Sequence, residues 1–98
     1  MPQTIRAFGI PWYRKEDWAE IRRIMADADV LHDSFDDWLK SATHVEQRLR
    51  QSGQIVERAY IDPADFPAWC RARGLNVDAK AREAFANTVA FEKHRHSN

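Results

Sequence analysis

The chain has 98 residues, 44% of them hydrophobic, with four Trp, five Phe and two Tyr, which suits one globular domain and leaves no room for a second. Fifteen Lys and Arg balance fifteen Asp and Glu, and they balance locally as well: residues 1–53 carry a net −1 and residues 54–98 a net +1. This speaks against electrostatically driven binding to nucleic acid or anionic lipid, while a single cysteine, Cys70, excludes an intrachain disulfide.

The largest basic bias, residues 71–96 with six basic against three acidic side chains, is mild. No stretch approaches the length of apolar chain that spans a bilayer, and the N-terminus lacks the basic start and apolar run of a secretory signal. A cytoplasmic protein is the expectation.

Residues 3–10 read as a short strand or an extended arm packed by Ile5 and Phe8. From Pro11 the pattern turns helical, because Pro suits a first turn and Glu16 and Asp17 sit where the helix dipole favours acids. Trp18, Ile21, Ile24, Met25 and Ala28 then form one apolar stripe. A second helix is marked by Ser34 as N-cap with Asp37 three residues on. Phe35, Trp38, Leu39, Ala42, Val45 and Leu49 trace its apolar face, and Gly53 supplies a left-handed stop.

Residues 54–62 read as a strand, rich in β-branched and aromatic types and bounded by Gly53 and Asp62-Pro63. One face carries Ile55, Glu57, Ala59 and Ile61 and the other Val56, Arg58 and Tyr60, so neither is cleanly apolar. A third helix opens at Asp62-Pro63 or, given Pro67, at Asp65; it buries Phe66, Trp69 and Cys70 and ends at Gly74, with Leu75 folding back. A fourth runs from Asn76 or Asp78 to about Lys93 and presents Val77, Ala81, Ala84, Phe85, Thr88 and Val89. Residues 94–98 read as a frayed tail. The expected fold is α+β and predominantly helical, with about four helices and one clear strand. That strand, 54–62, needs a partner: either segment 3–10 or the same strand across a dimer.

Candidate chemistry is sparse. The acids between Asp27 and Asp37 begin like a calcium loop, but the turn glycine is missing and Trp38 stands where a bidentate Glu belongs, so they read as caps for the second helix. His32, His44, His94 and His96 do not assemble a zinc set, and Cys70 reads as a small buried residue. Glu16, Asp17 and Glu20 lie among Arg14, Lys15, Arg22 and Arg23 and form a solvated charged face. With neither a phosphate loop nor a nucleophile elbow, the sequence assigns no catalytic residue, metal or cofactor. Trp12 and Tyr13 remain, either as core or as an exposed contact surface of the kind that enriches such residues. The leading expectation is a protein-interaction or structural module, self-associating or bound to another protein through its strand edge or the Trp12-Tyr13 patch.

The strand-helix-helix order of residues 54–92 resembles a ribbon-helix-helix DNA-binding unit. In that family two chains pair their strands, and alternate strand side chains enter the major groove. The resemblance implies Val56, Arg58 and Tyr60 as the groove-facing set, whereas Glu57 and Pro67 depart from the pattern. The whole chain, through segments such as Gly9 to Tyr13 and Ile61 to Gly74, also resembles small uncharacterised bacterial proteins. That likeness implies no activity or ligand.

Overall fold

A computed structural model describes residues 7–94. Six elements follow in order: strand β1 (Ala7–Trp12), helix α1 (Trp18–Ile24), helix α2 (Phe35–Gln51), strand β2 (Ile55–Tyr60), helix α3 (Phe66–Ala72) and helix α4 (Ala79–His94). Short 3₁₀ turns at Lys15–Asp17 and Ala28–Val30 flank α1. The architecture is α+β and predominantly helical, as composition and periodicity imply.

The strand's partner lies within the chain. β1 and β2 form a two-stranded parallel sheet, with Ala7 opposite Ile55 and Trp12 opposite Tyr60. Parallel strands cannot be joined by a tight turn, and α1 and α2 supply the crossover. The first strand therefore continues through Pro11, which was expected to open a helix, and the helix itself waits until Trp18. Pro11 is tolerated because its position turns the missing N–H to the outside of the sheet, where no ladder bond is lost. Ala28, assigned to the same helical stripe, instead begins a 3₁₀ turn.

Register places Ala7, Gly9, Pro11, Ile55, Glu57 and Ala59 on one face, and Phe8, Ile10, Trp12, Val56, Arg58 and Tyr60 on the other. Helix α4 covers the first face and α2 packs against β2 from the second. This explains why neither strand face is cleanly apolar. Glu57 meets Lys93 Nζ at 3.1 Å and His94 Nε2 at 2.7 Å on α4, and Arg58 meets Glu46 on α2. Each charge on the strand is matched by the helix above it. His94 is thus the last residue of α4 rather than part of a tail; residues 95–98, like Ile5, lie outside the described segment.

Ser34 caps α2 by accepting the Asp37 N–H, as its spacing implies. The buried face of α2 departs from the apolar pattern, however: Val45 is 46% exposed, whereas Glu46 is only 5% exposed. The exchange follows from charge pairing, because Arg58 and Arg50 neutralise Glu46 where β2 crosses the helix. Gly53 and Gly74 end α2 and α3 at φ 90° and 68°, and Leu75 N–H closes the second stop on the Cys70 carbonyl. Asp65 precedes α3, and Pro67 falls at its second position, where a missing N–H costs nothing.

Helix α4 buries Ala81, Arg82, Ala86 and Ala90, with Phe85 partly covered; the expected Thr88 is exposed. Its alanines let it settle onto the sheet at Gly9, where a Cβ would lie 1.9 Å from the Ala86 carbonyl oxygen. Glycine is required there by space. Asp27, expected to cap α2, reaches across the fold to α4: its carboxylate accepts the Ala79 N–H and two bonds from Arg82, at 2.8 and 3.1 Å. One acid thus caps a helix and neutralises its buried arginine.

Candidate functional site

Trp12 and Tyr13 belong to the core. Both are 3% exposed, and their rings pack with Trp18, Phe35 and Trp38 in an aromatic cluster. Burial pushes the Tyr13 phenol up to about 12, against the opposing pull of Arg82. As an exposed contact patch the pair is therefore excluded: the crossover from β1 to α1 turns these rings inward, beneath α2. Composition alone could not separate the two readings, since large aromatics suit cores and interfaces equally.

Val56, Arg58 and Tyr60 share one side of β2 but not one environment. Val56 is buried, Arg58 is half-exposed, and Tyr60 is 42% exposed. Arg58 Nε and Nη2 donate to the two Glu46 oxygens at 2.8 and 2.9 Å, while its guanidinium lies 4.0 Å from the centre of the Trp12 ring. Glu46 also accepts from Arg50 at 3.4 Å. The Arg58 guanidinium beside it holds the Glu46 carboxyl below the usual range despite burial. Arg58 is thereby fixed on the sheet by an ion pair and a ring.

The backbone of the same three residues faces away from β1. The bond from Ile61 N–H to the Trp12 carbonyl fixes the alternation of the ladder, so Ile55, Glu57, Ala59 and Ile61 turn their polar groups toward β1. Val56, Arg58 and Tyr60 turn theirs outward. Among the described residues, these outward groups have one partner, Arg50 Nη2, at 3.5 Å from the Val56 carbonyl. The outer edge of β1 offers less, because Pro11 stands at one of its outward positions. β2 thus presents the more complete unpaired edge, and Tyr60 ends it.

Beside Tyr60 a groove of about 260 Å³ opens between the end of β2, the following loop, α3 and α4, lined by Tyr60, Asp62, Asp65, Phe66, Trp69 and Phe85. Phe66, Trp69 and Phe85 pack on one another, with ring centres 5.2–5.9 Å apart, and form a continuous apolar wall. Asp62 is held in the turn by the Ala64 N–H at 2.9 Å. The sequence pattern places Phe66 and Trp69 on the buried face of the third helix and Asp62 or Asp65 at its opening. Nothing in their spacing tells that Phe85 and Tyr60, from distant segments, complete a groove with them. Cys70, behind the wall, is fully buried, and burial pushes its thiol up, away from the reactive thiolate.

No helix among the described residues is long and apolar enough to cross a membrane, and no group of three or more His, Cys, Asp or Glu among them is placed to hold a metal ion. No family model matches the sequence, and no curated protein or solved structure matches the chain.

Proposed function

We propose that this chain is a protein-interaction module that self-associates through the outer edge of β2. The observation that carries the reading is the row of outward-facing backbone groups at Val56, Arg58 and Tyr60, which lacks a strand partner among the described residues. Natural sheets seldom leave such an edge open without covering it, because it templates pairing with another chain. A second copy paired on this edge would extend the two-stranded sheet to four strands.

A twofold axis through Arg58 makes the edge self-complementary. It sets Val56 opposite Tyr60 of the second copy, a β-branched and aromatic pairing that stabilises antiparallel strands. It also sets Arg58 opposite its own copy, and Glu46 on each side offsets that repulsion. The test is the solution mass at micromolar concentration, with Tyr60→Pro as the comparison. The variant deletes one outward N–H without touching the ladder to β1. A dimer that becomes a monomer in the variant, with helical content unchanged, supports the reading. A monomeric wild type at all accessible concentrations overturns it.

A further inference from the structure

We propose that the groove formed by Tyr60, Asp62, Asp65, Phe66, Trp69 and Phe85 binds the guanidinium of an arginine side chain presented by a partner polypeptide. Its size comes first. At about 260 Å³ it lies below the range of roughly 300–1,000 Å³ that holds drug-sized ligands, and it suits one long side chain.

Its lining decides the chemistry. Four aromatic residues make the wall, and the two groups of formal charge on it are both carboxylates. Among the described residues no cation pairs with Asp62 or Asp65, and Asp65 has no side-chain hydrogen bond at all. An apolar stem with a cationic head satisfies both parts of such a surface. Arginine is favoured over lysine because a planar, weakly hydrated guanidinium can stack on a ring and donate to carboxylates together.

The molecule already sets guanidinium groups against two rings of the same groove. Arg14 lies 4.7 Å from the Tyr60 ring centre and Arg73 lies 4.1 Å from that of Trp69. Neither forms an ion pair with the two aspartates: Arg14 lies 3.9 Å from Asp17, and Arg73 donates to the Trp69 carbonyl at 3.2 Å. Among the described residues, the two carboxylates are thus without an ion-pair partner.

The experiment is a titration of the full chain with Nα-acetyl-arginine methylamide, followed by the Trp69 indole and the Asp65 amide in nitrogen–proton spectra. Saturable shifts confined to the groove are expected, with millimolar affinity. The citrulline analogue, equal in shape and neutral, should bind at least about fivefold more weakly, and Asp65→Asn should weaken arginine about two- to fivefold, the range of an exposed ion pair. Equal binding of arginine and citrulline, or no saturable shift, overturns the proposal. Tighter binding of tetramethylammonium than of arginine overturns the guanidinium assignment and points instead to a quaternary ammonium ligand. Tyr60 borders both this groove and the β2 edge, so the titration is read at Trp69 and Asp65, and the difference between arginine and citrulline tests the groove whether or not the edge pairs.

Discussion

Replacing Gly9 by Ala tests the closest approach in the fold. An added Cβ would sit 1.9 Å from the Ala86 carbonyl oxygen and 2.4 Å from its carbonyl carbon. Ordinary contact begins near 3.4 Å, so α4 must withdraw from β1 by about 1.5 Å. The obstacle is main chain, so no rotamer change relieves it. The retreat loosens Ala86 and Ala90 against the sheet and lengthens the contacts of Lys93 and His94 with Glu57. Overpacking of this kind costs about 1–3 kcal/mol, and the backbone clash places Gly9→Ala at or above the upper end. In a domain of this size about 3 kcal/mol lowers Tm by roughly 12–24 °C. Urea unfolding followed by circular dichroism, with the thermal midpoint alongside, measures both. Ala86→Gly should fail to rescue the variant, since the clash is with the carbonyl and not the methyl. A Gly9→Ala protein within about 0.5 kcal/mol of wild type, or more stable as an unobstructed strand glycine would allow, would refute this packing.

The Arg58–Glu46 pair should respond asymmetrically. Arg58→Ala leaves a buried carboxylate with only the weaker Arg50 contact and should cost about 3 kcal/mol; Glu46→Ala leaves Arg58, whose side chain is 41% exposed, open to water and should cost distinctly less in chemical denaturation. Acid should unfold the domain by a stated route. Asp27, Glu46 and Glu57 have lowered values in the fold, set first by hydrogen bonds from Arg82, Arg58 and His94 respectively. Their stabilisation is therefore complete above the unfolded carboxylate value near about pH 4 and is lost as pH falls through the folded values. Asp27→Asn should flatten the stability profile below about pH 4 and be less stable than wild type at neutrality; an unchanged acid limb would contradict the assignment. Cys70 should resist a thiol reagent in native buffer and react at once in denaturant, and rapid native labelling would show that α3 opens readily.

Much of the fold was legible because it rests on local rules. Ser34, Gly53 and Gly74 act as the capping rules require, and β2 lies inside the segment its composition marks. The pairing of that strand was not legible. Pro11 reads as a helix opener from its neighbours, and only the edge position of β1 makes it a strand residue. Buried charge misled in the same way: Glu46 and Arg82 look like surface residues until Arg58 and Asp27, distant in sequence, are brought to them. The candidate site shows the sharpest contrast. Trp12 and Tyr13 suit a contact surface by residue type and are core, while the open edge is a property of backbone direction, and the groove joins Tyr60, Asp65 and Phe85 from separate segments.

Amide hydrogen exchange along β2, measured at several protein concentrations, tests the central claim most directly. The Ala59 and Ile61 amides bond to β1 and should be protected throughout. The Arg58 and Tyr60 amides face outward; if β2 edges pair between two copies, their protection should rise with concentration in step with the dimer. Fast exchange at Arg58 and Tyr60 in a sample shown to be dimeric would place the interface elsewhere and contradict the account.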